Sequence, residues 1–181
     1  MLWYVDNPFH RMFLGGRYEQ ASVALQKAGR KREAAVCQAY LLRGKAWMIT
    51  TTARVARIQA FLAAAKAFVD CVRDYTVEQE RLGYHEAAGE CYSEAHSYKK
   101  SGKNYCIAKE YDEAACAYQK GGYIDEMVEV INRYRDTMDG GLIERLEMAA
   151  KFHYFKVCFK SNPPRTFLNF SDVGPKYGVS L

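Results

Sequence analysis

The sequence predicts an all-α fold, in which antiparallel αα-hairpins stack on one another as a short right-handed solenoid. The first observation is self-similarity: residues 18–29 and 111–122 both begin with tyrosine, carry small residues three and four positions later, and end in glycine. A weaker copy lies at 84–92, and such repetition is typical of helical repeat proteins. The second observation is that only 4 of the 181 residues are proline, so helix breakers are scarce. The third is an abundance of alanine, leucine and other strong helix formers.

Three parts are expected along the chain. Residues 1–16 form an irregular, strongly apolar N-terminal segment with a short leading helix at 8–13. Residues 17–158 form the helical-repeat domain, and residues 159–181, with most of the prolines, form an irregular tail. Apolar spacing and turn residues place eight helices in the domain, at about 17–28, 31–46, 53–74, 79–98, 99–109, 111–120, 124–138 and 142–159.

Apolar spacing also predicts which faces are buried. The first two helices are joined by two or three residues, so they are expected to pack antiparallel. The third helix carries a stripe at alternating three- and four-residue spacing, which predicts a core seam of Val55, Ile58, Leu62, Ala65, Val69 and Val72. The last helix is expected to face inward through Leu142, Ile143, Leu146, Met148, Ala149, Phe152 and Phe155.

The repeated unit suggests a packing rule. In the copy at 111–122, Tyr111 is the expected knob, Ala114 and Ala115 form the hole, and Cys116 belongs to the core. Eight tyrosines are expected to bury their rings and leave their hydroxyl groups wet, because that suits their amphipathic side chain. They are Tyr18, Tyr84, Tyr92, Tyr98, Tyr105, Tyr111, Tyr118 and Tyr123. A platform for stacked nucleic-acid bases is the less favoured interpretation.

Composition limits the classes of function. The net charge of +5 is a mild excess, too small to indicate nucleic-acid binding by itself. The 6 cysteines form no C-x-x-C pair, and no apolar run is long enough for a membrane span. No export signal is recognised at the start, so an intracellular location, cytoplasmic or nuclear, is expected.

No catalytic, cofactor or metal site is predicted. His85, Cys91 and His96 are close in sequence but do not share a helix face, and zinc requires convergent ligands. The segment 101–104 is only a near miss for a phosphate-binding loop, because it lacks the leading glycine and the final hydroxyl. Glu90 and Glu94 lie on one face as an ordinary pair of surface carboxylates.

Two basic clusters are the strongest candidate binding features. One surrounds the first helix–helix turn and the other the turn before the fifth helix. If both lay on one edge of the solenoid, they would form a positive rim able to contact phosphates or an acidic partner. The alternative is that they are solvated turns near helix ends. Their residues are Lys27, Arg30, Lys31, Arg32, Lys99, Lys100 and Lys103.

Three segments, 32–43, 88–95 and 121–131, carry a family resemblance. They resemble degenerate tetratricopeptide-type repeats and, more closely, the helical region downstream of the motor in fungal UvrD-like superfamily 1 helicases related to tetratricopeptide-and-ankyrin-repeat protein 1. The likeness covers about residues 3–158. It implies a linking or scaffold region of a larger helicase-type chain, with the ATP-dependent motor elsewhere.

The favoured hypothesis is therefore a non-catalytic helical scaffold that packs against a protein partner or the remainder of a larger chain. The alternative is an accessory nucleic-acid-binding domain that uses the basic turns. Neither hypothesis involves an enzyme activity of this segment, a cofactor, a membrane or a small-molecule substrate.

Overall fold

The computed structural model describes Met12, residues 15–73 and residues 77–161, and this part of the chain is all-α. Its eight α-helices are α1 Tyr18–Lys27, α2 Lys31–Met48, α3 Arg54–Val72, α4 Glu78–Glu94, α5 Tyr98–Ala108, α6 Tyr111–Gly121, α7 Ile124–Tyr134 and α8 Gly140–Ser161. A short 3₁₀ turn, Arg135–Thr137, precedes α8. Each helix packs against its neighbours in sequence, and α6 also contacts α8. The predicted all-helical class and consecutive packing are confirmed.

Several predicted boundaries need correction or lie outside these residues. Helix α4 ends at Glu94 rather than 98, because His96 adopts a left-handed backbone that stops the helix. Helix α8 continues through residues 159–161, which were expected to be irregular. The predicted leading helix at 8–13, apart from Met12, and the predicted tail from 162 onward lie outside the described residues.

The helix turns recur at a short interval. His96, Lys109 and Gly122 have φ angles of 55°, 68° and 74°, and each lies thirteen residues after the one before. After each, the next backbone amide bonds back to a carbonyl five residues earlier, as in a Schellman motif. Gly29 ends α1 in the same way. In this part of the chain, the unit from one left-handed turn residue to the next is therefore thirteen residues long.

Neighbouring helices run antiparallel because their connections are short. The turns consequently alternate between two edges of the stack. The first edge carries the α1–α2, α3–α4, α5–α6 and α7–α8 turns, and an ion pair between Glu78 and Lys109 lies there. The second edge carries the α2–α3, α4–α5 and α6–α7 turns, where Arg57 pairs with Glu94.

The core is a chain of local clusters. Leu25 lies in a small cluster between α1 and α2, with Met12 packed against it. Phe61, Phe68 and Tyr84 lie in the largest buried cluster, which joins α2, α3 and α4. Another cluster joins α6, α7 and α8. Each helix is therefore held mainly by residues that are near in sequence.

Helix α3 buries a face that overlaps the predicted stripe only at Ala65 and Val72. Val55 is 70% exposed, and Ile58, Leu62 and Val69 are only half-buried. Two phenylalanines seven residues apart define the buried face, because α3 is packed by α2 on one side and α4 on the other. The fully buried face consists of Phe61, Ala64, Ala65, Phe68, Cys71 and Val72.

Among the side chains of α8 that the structure describes, the fully buried ones lie in the first half of the helix. Ile143, Leu146 and Ala150 are buried, whereas Met148 is 67% and Phe152 60% exposed. The predicted inward orientation of Met148, Phe152 and Phe155 is wrong, since all three are exposed. The physical reason is helix periodicity: these three residues lie on the face of α8 opposite Ile143, Leu146 and Ala150, which pack against the core.

Helix α6 largely follows the predicted unit. Ala114 and Ala115 are fully buried, but Cys116 is only half-buried, so its assignment to the core is wrong. Tyr111 stacks on Tyr134 with ring centroids 3.7 Å apart and nearly parallel planes. Tyr111 therefore packs on α7 rather than into a hole.

The large side chains that pack into gaps on the preceding helix are Tyr105 and Tyr118, which lie within α5 and α6. The ring of Tyr118 packs so closely on Gly102 that a Cβ atom there would lie 2.7 Å from it, and the Tyr105 ring packs on Gly89 at 2.9 Å. The Ser101 hydroxyl donates a buried hydrogen bond of 2.8 Å to the Gly89 carbonyl. Glycine lets α4, α5 and α6 approach closely enough for these contacts.

The tyrosine prediction holds in part. The rings of Tyr84 and Tyr118 are buried, while the other six rings are half-buried. The hydroxyl oxygen of Tyr84 is inaccessible to solvent, so this residue does not keep the wet hydroxyl group that was predicted.

We predict that Gly102→Ala lowers the free energy of unfolding by about 1–3 kcal/mol, because the new methyl group overpacks against Tyr118. The matched control is Gly83→Ala in α4, where nothing lies within 4 Å of the new Cβ. It should raise stability by about 0.5–1 kcal/mol through helix propensity. Urea unfolding followed by circular dichroism measures both, and equal effects would contradict the close contact.

At residue 96 the left-handed backbone should reverse the usual preference between glycine and alanine. His96→Gly is expected to be about 1 kcal/mol more stable than His96→Ala, because alanine strains the left-handed conformation. Both variants lose the same ring contact with Tyr98, so the difference isolates the backbone. At Lys120, inside α6, the alanine variant should instead be more stable than the glycine variant by a similar amount. The same order at both residues in thermal unfolding would argue against this turn.

Candidate interaction surface at the α2–α3 corner

Large apolar side chains are exposed where α2 ends and α3 begins. Met48 is 84% exposed, Val55 70% and Trp47 45%. They flank the five-residue connection 49–53, so they lie at one corner of the second edge. We call these three residues the apolar corner.

An arginine joins the apolar corner to the core. The Arg57 guanidinium lies 5.2 Å from the Trp47 ring centroid and 5.4 Å from that of Phe61. It also donates to a Glu94 carboxylate oxygen at 3.1 Å. The Trp47 and Phe61 rings meet edge to face, with centroids 5.0 Å apart. The Trp47 side chain is therefore held in place although nearly half of it faces solvent.

Arg43 lies one turn before Trp47 on α2, and it likewise contacts both an aromatic ring and a glutamate. Its guanidinium lies 4.9 Å from the Tyr40 centroid and donates to Glu90 at 2.8 Å. Glu90 and Glu94, which share a face of α4, are thus each paired with an arginine from another helix. The sequence showed their shared face, but these partners are 47 and 37 residues away.

The basic cluster at the start of α5 is also partly engaged in an ion pair and aromatic contacts. The Lys99 ammonium group donates to Glu126 at 2.7 Å and lies 5.0 Å from the Tyr123 centroid. This hydrogen bond raises the pKa of Lys99 and lowers that of Glu126. Lys100 lies over the Tyr92 ring at 5.6 Å, and both Lys100 and Lys103 are exposed.

The cluster at the α1–α2 turn lies elsewhere. Lys27, Lys31 and Arg32 are exposed, and Arg30 pairs with Glu33 at 2.8 Å. This turn is on the first edge, whereas residues 99–103 are on the second. The two clusters therefore do not form one continuous positive rim. Phosphate or acidic-partner contact by either cluster alone stays a prediction.

Sequence reasoning missed two cations beside the apolar corner. Lys45 and Arg54 are exposed, and neither forms an ion pair within the described part of the chain. The sequence does indicate a positively charged region here, because it has no aspartate or glutamate between Glu33 and Asp70. In that interval the cations are Arg43, Lys45, Arg54, Arg57 and Lys66.

Cys37 and Cys91 are buried, and His85 contacts another side chain. Burial raises the pKa of Cys37 to about 11 and that of Cys91 to about 12. The His85 Nδ1 atom lies 2.9 Å from the Asn104 side-chain oxygen, within hydrogen-bond distance. Among the residues that the structure describes, no three histidines, cysteines or carboxylates are grouped to hold a metal ion.

Native-state alkylation tests the surroundings of the cysteines. With iodoacetamide at about pH 8, Cys158 should react at least about tenfold faster than Cys37 and Cys91, because buried thiols carry little thiolate. Peptide mass spectrometry measures the rates, and labelling in urea serves as the control, where the difference should vanish. Fast labelling of Cys91 in the folded chain would contradict the burial.

A shallow groove of about 530 Å³ lies between α7 and α8, where the Tyr154 hydroxyl donates to Asp125 at 2.6 Å. Its lining mixes acidic, apolar and basic groups, and Arg133 pairs with Glu129 inside it. The groove is open and its charges are largely paired, so the apolar corner is the more distinctive surface.

None of the described helices is both long and apolar enough to cross a membrane. No protein-family model, curated protein or solved structure matches the chain.

Proposed function

We propose that this chain is a non-catalytic protein-interaction module, a helical-repeat scaffold that binds a protein partner through the apolar corner. The observation that carries the proposal is the joint exposure of Trp47, Met48 and Val55 at one turn. In the proposed architecture, the hairpins continue as a right-handed, tetratricopeptide-like solenoid.

The composition of the corner supports this proposal. Tryptophan, methionine and arginine are enriched at protein interfaces relative to other surfaces. Burying a methionine or valine side chain contributes roughly 1.5–3 kcal/mol, so Met48 and Val55 together offer a substantial gain to a partner.

The corner is also preorganised. Trp47 is held between Phe61 and Arg57, and Arg57 is itself fixed by Glu94. A partner that covers Trp47 would therefore lose little side-chain entropy at this residue, which lowers the free-energy cost of association.

The resemblance to the region downstream of UvrD-like helicase motors suggests a setting for the module. In that setting it belongs to a longer intracellular chain, cytoplasmic or nuclear, and links the motor to other components. The proposed partner is then either another protein or another part of the same chain.

Paired surface variants test the proposal. Immobilised full chain is used to capture proteins from extract, and captured proteins are purified and titrated by calorimetry. Met48→Ser with Val55→Ser should weaken binding of a true partner at least about tenfold, because apolar burial is lost. Met148→Ser with Phe152→Ser, which changes two other exposed apolar residues on α8, is the matched control and should have less than a twofold effect.

Partners that bind the corner variant and the wild type equally would contradict the proposal. Circular dichroism of both variants checks that the helices are intact, so a loss of binding is not a loss of folding.

A further inference from the structure

We infer that the partner of the apolar corner is an acidic protein segment with apolar anchor residues. This inference rests on the proposed function and specifies the chemistry of the partner at the same surface.

The surface around the corner carries an excess of positive charge. The stretch 34–69 holds five cations and no acidic residue, and it contains the whole α2–α3 turn. Glu90 and Glu94 from α4 neutralise Arg43 and Arg57, whereas Lys45 and Arg54 on either side of the turn remain exposed. The surface beside Met48 and Val55 is therefore positive, and a complementary partner is negative.

The chain already uses this recognition chemistry between its own helices. Arg43 lies over an aromatic ring and binds Glu90, and Arg57 lies over Trp47 and binds Glu94. A carboxylate from another helix thus meets a cation that sits beside an aromatic or apolar surface. At the corner, Lys45 and Arg54 offer the same combination beside Met48 and Val55, with the carboxylate to be supplied from outside.

The neighbouring turn on the same edge is also followed by exposed cations. The α4–α5 turn lies on the same second edge, and Lys100 and Lys103 are exposed just after it. These cations extend the positive surface along the edge, so an acidic segment that leaves the corner still meets attraction rather than repulsion.

The apolar side chains favour a protein over a nucleic acid. Single-stranded nucleic acids are held by aromatic faces on which bases stack, and the one aromatic ring of the corner, Trp47, already contacts the Arg57 guanidinium and the Phe61 ring. Leucine, phenylalanine or similar anchors in a peptide would instead cover the other two corner residues, while flanking carboxylates pair with Lys45 and Arg54.

Selection from a random peptide display library tests the inference. The immobilised full chain is the target, and the Met48→Ser/Val55→Ser variant removes peptides that bind elsewhere. We expect the enriched peptides to be net acidic and to carry large apolar residues. Enriched peptides that depend on the corner but are neutral or basic would overturn the inference and leave the proposed function standing.

Titration of the most enriched peptide, labelled with fluorescein and followed by anisotropy, gives the second readout. Lys45→Glu with Arg54→Glu should weaken binding at least about tenfold, and raising the salt from about 50 to about 200 mM should also weaken it. Lys31→Glu with Arg32→Glu on the first edge is the matched control, with an expected effect below twofold. Equal weakening by both variants would overturn the assignment to the corner.

Two further outcomes are decisive. If no peptide depends on the corner, both the inference and the proposed function are overturned. If the chain binds only vesicles of phosphatidylserine in phosphatidylcholine, and the corner variant abolishes that binding, the surface recognises an anionic membrane and the inference is wrong.

Discussion

The close contact between tyrosine rings and glycines is the constraint on which the central helices depend. Gly89 and Gly102 leave room for Tyr105 and Tyr118 to lie flat against the preceding helix. Helices of 11 residues bury little surface each, so a loose fit would leave them marginal. The space left by these glycines and the regular turns act together. The turns recur every thirteen residues, and this spacing fixes where each tyrosine ring meets the preceding helix.

Much of the fold could be predicted because its elements are defined locally. Glycine stops and apolar spacing located the helices to within a few residues. Buried faces were harder, because apolar spacing cannot show how many neighbours a helix has. Val55 belongs to a regular stripe yet is exposed, since α2 and α4 cover α3 farther along. Met148 is exposed because it lies on the face of α8 opposite the buried Ile143, Leu146 and Ala150.

The candidate surface was less predictable for a related reason. A list of basic residues does not tell which cations are paired, and Lys99 meets Glu126 only because α5 and α7 run in the same direction. Trp47 and Met48 look like ordinary helix residues in the sequence. Their exposure depends on where α2 ends relative to the first turn of α3, which residue spacing alone does not give.

Consecutive helices alternate in direction, so the side on which a turn lies depends on whether an even or an odd number of units precedes it. Inserting one thirteen-residue unit would reverse every helix after it and move each later turn to the opposite edge. Inserting two would restore the original sides. A binding surface assembled from several turns on one edge can therefore lengthen or shorten only by pairs of units, whereas a surface confined to the α2–α3 corner tolerates either change downstream.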